Sequence, residues 1–308
     1  MPHMPGKDRT TAVKAVLTPF FWSLVFPLSK VILRDITPLS LVALRYVMGA
    51  AFLNAVAVAQ GSRHELKRLL VKDWWKMLII GFAAVSANAS QVIGLNYTST
   101  AEGSIISATT PVYSALLAAV LLKERIGVYQ IAGLLLALGG VSGIALAGGG
   151  GASAGSGGFT GTALMLFGAI AYAVYTVLGK KWDATGIPAL AIGTWLGVVP
   201  FVILAAFTEP FMASVVSADM VSWANLIALG ILPTGLAVIW YFGLVSNLGA
   251  ARASALLYLV PVFGVVQSRV LLGEHIGPGL LLGGATSLLG VALAQRQDQP
   301  ARVASGSE

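Results

Sequence analysis

Residue n and residue n+150 of this chain match without a gap: Lys30 falls on Lys180, Pro38 on Pro188, Pro111 on Pro261 and Glu124 on Glu274. The match is densest between 101 and 141, with Ala101/Ala251, Ser104/Ser254, Val112/Val262, Ile126/Ile276, Gly127/Gly277, Gly133/Gly283 and Gly140/Gly290. Val120, Leu121 and Leu122 likewise fall on Val270, Leu271 and Leu272. A chain that copies itself at this spacing is two units of one kind, and each unit must bury the same apolar surface in the same way.

The solvent for that surface is lipid. With 57% hydrophobic residues, 10% charged residues and a mean hydropathy of +0.85, the chain falls far below the charge content of about 25% found in soluble domains. Crossing the hydrocarbon layer takes about 20 apolar residues rising 1.5 Å each. Five runs of that length stand in the first unit, at 12–34, 38–60, 74–97, 101–122 and 126–148. Five more stand in the second, at 159–181, 187–208, 222–245, 249–272 and 276–295. The expected fold is an all-α integral membrane protein of ten transmembrane helices. Its expected parts are a first five-helix repeat at 1–148, a Gly/Ser-rich linker at 149–158, a second repeat at 159–296 and a cytoplasmic tail at 297–308. Five is odd, so the second unit enters from the opposite face and the two repeats are inverted about an axis in the membrane plane.

The basic residues test this layout. With the N-terminus inside, the inner face receives 15 of the 19 Lys and Arg, among them Lys7, Arg63, Lys67, Arg68, Lys72, Lys76, Lys123, Lys180, Lys181 and Arg296. The stretches 149–158 and 209–221 hold none. Positive charge is retained on the cytoplasmic side, so both termini are expected there, and the net charge of +7 calls for no nucleic-acid partner. The segment from Arg63 to Lys76 suits anionic lipid heads. Lys7, Arg9 and Lys14 before an apolar run imitate a secretory signal, but no small-residue cleavage site follows and the run continues through Pro27.

The 36 glycines read as helix-packing residues, with Gly139/Gly143 and Gly279/Gly283 at small-xxx-small spacing. There is no cysteine, and His3, His64 and His275 are too scattered for a metal cluster. No cofactor is expected, and without a G-x-x-x-x-G-K-[ST] motif the chain is no ATPase by itself.

Function is sought among polar and aromatic side chains at mid-span, since each needs a protein partner or a wet cavity. The third run supplies Asn88 and Gln91, three apart and on one helix face, suited either to an interhelical bond or to a solute. The fourth run carries Ser107, Thr110 and Pro111, and the ninth carries Tyr258 and Pro261. The two prolines are repeat mates that free a carbonyl one turn back and bend each helix near mid-membrane. Trp22, Tyr172, Tyr175 and Trp240 lie deep enough to line a pocket for flat or apolar groups. Trp74, Trp75 and Trp223 read as interfacial belt residues. Lys30 and Arg45 are candidate partners for a solute carboxylate, with snorkelling or carbonyl binding as the alternative. All 12 acidic residues fall at ends, loops or tails. Glu102 near a span end is placed to pair with Arg45 or Lys30, Glu124 to cap an inner turn, and Glu274 reads as a loop charge. Lack of a mid-span acid points to downhill movement of solute, with coupling through Glu102 as the alternative.

The ten runs, the inverted repeats and the P-x(12)-E pattern at Pro111…Glu124 and Pro261…Glu274 resemble the drug/metabolite transporter superfamily. The two halves are similar to tandem EamA domains over about 12 to 295, and the chain most resembles the YddG-type exporters of aromatic and other neutral amino acids. The resemblance implies a secondary transporter in a bacterial inner membrane, exporting solute without ATP through a central cavity between the halves. Carried over, it favours Trp22, Asn88, Gln91, Thr110, Tyr172, Tyr175, Trp240 and Tyr258 as cavity lining. Ala108, Thr109 and Thr110 stand where such an exporter carries rings, which implies a wider or more polar pocket. The expected partners are a small-molecule substrate and membrane lipid, with the chain read as a monomer. Export of other metabolites or drugs is the rival reading. A membrane enzyme lacks paired carboxylates or a Ser/His pair at one interface, and a channel would conduct without saturating.

Overall fold

A computed structural model describes residues 5–121, 123, 127–146, 157–248 and 256–294. Most of the linker, the tail, Glu124, Arg125, Ala251, Arg252, Ser254 and Arg296 lie outside the described residues. Among the described residues there are helices and turns and no strand. Seven helical stretches are long and apolar enough to cross a membrane: Thr10–Ile32, Pro38–Ala59, Trp74–Gly94, Thr100–Leu121, Phe159–Lys181, Ile187–Thr208 and Met220–Leu244. Val128–Ile144, Leu256–Leu272 and Pro278–Ala294 are apolar and shorter. They fall in the fifth, ninth and tenth expected runs, whose remaining turns largely adjoin residues outside the description. The tenth also starts late, at Pro278, a residue suited to the first turn of a helix because it has no N–H to leave unpaired.

Several spans are broken where the sequence reads as continuous. The first divides into α1 (Pro5–Ser23) and α2 (Val25–Ile32) around Leu24, because Pro27 cannot donate to the Ser23 carbonyl one turn back. Then come α3 (Pro38–Ala59), the surface helix α4 (Arg63–Lys72) and α5 (Trp74–Gly94). The fourth span divides into α6 (Thr100–Ser107) and α7 (Thr110–Leu121), with Pro111 in the first turn of α7. After α8 (Val128–Leu146), α9 (Gly157–Lys181), α10 (Ile187–Thr208) and the short α11 (Phe211–Ser217), the eighth expected run forms α12 (Met220–Ile231), a π-helical turn (Leu232–Leu236) and α13 (Ala237–Leu248). A 3₁₀ turn (Leu256–Tyr258) leads into α14 (Leu259–Leu272), which carries Pro261 in its first turn, and α15 (Pro278–Ala294) closes the described chain.

Helix α10 lies against α3 and α5, α5 against α9, and α8 against α15. Glycines set the closest approaches. A Cβ at Gly140 would stand 2.5 Å from the Gly283 carbonyl, and one at Gly133 would stand 2.4 Å from that of Gly290. As residue number rises on α8 it falls on α15, so these two helices run antiparallel and each glycine meets the mate of the other. The Gly139/Gly143 pair does not make this contact: a Cβ at either would meet nothing within 4 Å. Four-residue spacing defines a helix face but not which face meets a neighbour, and the packed glycines here are seven apart.

Carboxylates end helices rather than pairing with the buried cations. Glu274 sits in the loop after α14, and from there it accepts the Thr100 and Ala101 N–H groups at 2.9 and 3.1 Å, plus the Thr100 hydroxyl, at the start of α6. Glu102 pairs with neither Arg45 nor Lys30. It completes a capping box with Ser99 and accepts the Thr98 hydroxyl, which satisfies first-turn donors that have no helical partner. Glu209 does the same for α3 through the Leu39 and Ser40 N–H groups. Asp219 caps α12, and the Ser222 backbone N–H holds its carboxyl below the usual range. Trp74 and Trp75 are half-exposed beside α4, and Trp223 packs against the core of α2, α3 and α12.

Candidate functional site

The buried Arg45 guanidinium gathers side chains from both units. Arg45 sits on α3 and is 3% exposed. Its Nε donates to the Thr234 hydroxyl at 2.9 Å and its Nη1 to the Asn88 Oδ1 at 3.2 Å. Asn88, on α5, is oriented by its own Nδ2, which donates to the Ala84 carbonyl at 3.1 Å. Tyr46 donates to that same carbonyl, and its ring centroid is 5.5 Å from the Arg45 guanidinium carbon.

The π-helical turn between α12 and α13 explains why Thr234 is available. Pro233 has no N–H, so the Leu229 carbonyl loses its regular partner. The Thr234 hydroxyl donates to Leu229 O at 2.9 Å and accepts from Arg45 on its other side. The Ala237 N–H reaches back to Leu232 O. The Pro233 carbonyl accepts the Trp22 indole N–H at 3.0 Å, tying α1 to the π-helical turn.

Two phenol rings, Tyr46 and Tyr172, neighbour the Arg45 charge, and further aromatic pairs lie on α1, α9 and α13. Tyr172 lies within electrostatic reach of Arg45, Tyr46 and Tyr241, and its ring meets Tyr175 at 5.2 Å. Trp22 meets Tyr241 at 5.1 Å, and Trp240 stacks on Phe21 at 5.8 Å. Gln91 lies against α9: a Cβ at Gly168 would come within 2.7 Å of its side chain.

Other residues singled out by the sequence stand apart from this cluster. Thr110 donates back to the Ser107 carbonyl at 2.7 Å, while the buried Ser107 hydroxyl has no partner among the described residues. Tyr258 donates to the Val291 carbonyl at 3.0 Å and packs on the Val112, Ala137 and Val291 cluster, so its ring braces the last helix. Lys30 gives its ammonium to the Leu95 carbonyl. A cavity of about 410 Å³ opens beside α4 among Arg68, Lys76, Trp182 and Asp183, and one of about 320 Å³ lies between Leu136 and Leu289. Neither is lined by Arg45, Asn88 or Tyr172.

Thr234, Tyr46 and Tyr241 are the members of this group that mid-span polarity did not single out. The visible signal for Thr234 was Pro233 in the middle of an apolar run, without a proline at its repeat position. Tyr46 and Tyr241 directly follow Arg45 and Trp240.

Comparison with known proteins matches this architecture. A protein from Streptantibioticus cattleyicolor named as a probable terminal-alkyne amino-acid exporter is 32% identical over 92% of this chain and 92% of its own. An uncharacterized transporter of Archaeoglobus fulgidus is 27% identical over 91% of this chain and 97% of its own. The uncharacterized transporter YvbV of Bacillus subtilis is 27% identical over 99% and 97%. A crystal structure that shares 22% identity superimposes with a TM-score of 0.65 over 93% of this chain and 97% of that one, which shows a common fold. The sequence profile of the EamA-like transporter family matches residues 10–146 and again 159–295, and this chain, a multi-pass helical membrane protein, therefore belongs to the EamA-like transporter family.

Proposed function

We propose that the chain is a secondary transporter exporting small metabolites, aromatic and neutral amino acids foremost, from a bacterial cell across its inner membrane. One observation carries this reading: Arg45 and Asn88 of the first unit meet Thr234 of the second in a buried polar knot, with Tyr172 within electrostatic reach. A group held jointly by two units changes its surroundings whenever one unit rocks against the other, as alternating access requires. The ten-span inverted arrangement is supported by the antiparallel exchange of glycine mates between α8 and α15, and the distribution of Lys and Arg supports cytoplasmic termini. The amino-acid substrate is supported by the 32% identity to a relative named as an amino-acid exporter.

The test is flux into proteoliposomes containing the purified protein. Labelled phenylalanine and threonine are expected to equilibrate faster than in empty vesicles, with saturation at high concentration. Rates equal to those of empty vesicles for both would end the amino-acid reading.

A further inference from the structure

We propose that Arg45 anchors a carboxylate of the transported solute, which makes the carboxylate the obligatory recognition group and the amino group dispensable. This rests on the exporter reading above. A guanidinium stays charged at any physiological pH, and a buried charge without an opposite partner is costly enough that proteins rarely keep one. Arg45 is 97% buried by the complement of its 3% exposure, yet its two hydrogen-bond partners, Thr234 and Asn88, are neutral oxygens. Among the described residues no carboxylate lies within salt-bridge distance of it, and its electrostatic neighbours are the phenols of Tyr46 and Tyr172. The bonds to Thr234 and Asn88 use two of the five N–H donors of the guanidinium, leaving donors for a planar, two-oxygen acceptor.

The other candidate, Lys30, is differently placed. Its ammonium is already engaged by the Leu95 carbonyl. A solute ammonium would face the Arg45 charge with phenol rings and amide oxygen around it, and no acidic side chain of the described residues to offset the repulsion. Asn88 and Thr234 are positioning residues: each fixes one edge of the guanidinium, and they belong to different units.

The experiment compares three solutes of similar size on the wild-type protein: phenylalanine, phenyllactate and phenylethylamine. Proteoliposome flux and the thermal shift of the detergent-solubilised protein are both read. Phenylalanine and phenyllactate are expected to stabilise the protein and move through it, and phenylethylamine to do neither. Arg45→Lys should weaken the apparent affinity for phenyllactate at least about tenfold, because the bidentate fork is lost. Arg45→Gln should abolish saturable flux while eluting as a monodisperse peak. Phenylethylamine moving as well as phenylalanine in the wild type, or a folded Arg45→Gln variant with unchanged flux, would overturn the assignment. The wild-type solute panel decides the matter even where Arg45→Gln does not fold. If none of the three outpaces empty vesicles, the amino-acid reading itself falls, and the assignment with it.

Discussion

Thr234 makes two buried hydrogen bonds, one to Leu229 O and one from Arg45 Nε. Leaving a buried donor or acceptor unmade costs about 1–3 kcal/mol each. Thr234→Val keeps the shape and removes both, so its apparent melting temperature in detergent should drop clearly, whereas Thr234→Ser should stay near wild type. Equal melting of the Val variant and the wild type would show that the π-helical turn holds without this hydroxyl. Residues of this kind were only partly legible in the sequence. Asn88 and Tyr172 stand out because a polar or phenolic group in an apolar run must find a partner, and both lie in or beside the knot. Thr234 does not stand out, because a hydroxyl beside a mid-span proline reads as a local repair of the helix. Its second role, toward a residue 189 positions away, exists only in the fold. Tyr258 shows the converse: its ring and depth suggest cavity lining, but its hydroxyl is satisfied by Val291 O on the adjacent helix.

Helix ends and helix contacts follow the same division. The kinks were foreseeable, since a proline deletes a defined backbone bond wherever it stands, and the fourth span does break just ahead of Pro111 while Pro261 sits in the first turn of α14. The contact face was not foreseeable. Gly139 and Gly140 are neighbours in sequence, yet a Cβ at Gly139 meets open space and one at Gly140 meets the backbone of α15. Gly140→Val should therefore destabilise the protein by about 1–3 kcal/mol through overpacking, while Gly139→Val should be tolerated. The pair of variants, compared by thermal unfolding in detergent, separates this interface from a general intolerance of bulk in α8. Similar melting of both would mean that α8 and α15 do not meet as described. The same limit applied to Glu274. Its position after an apolar run marks it as a loop charge, but its bonds go to the first turn of α6, 174 residues earlier.

At the scale of the whole molecule the absence of cysteine makes topology directly measurable, because single cysteines label against no background. With the termini inside, a membrane-impermeant maleimide should label Ser217→Cys in intact cells and Lys67→Cys only after permeabilisation. The reverse pattern would invert the molecule and the direction in which export is defined. Lipid acts on each residue locally: a stretch of about 20 apolar residues seeks the bilayer whatever surrounds it, and a lysine is retained inside whatever helix follows it. For that reason the sequence by itself determined that the chain is a helical membrane protein of two like units and suggested its orientation. Pairing between helices depends on distances between residues far apart in the chain, where small differences in shape and hydrogen bonding select one neighbour over another. Only the tertiary structure decided that Gly140 meets Gly283, that Glu274 caps α6, and that Arg45 is buried between neutral partners from both units, with its charge unmatched among the described residues.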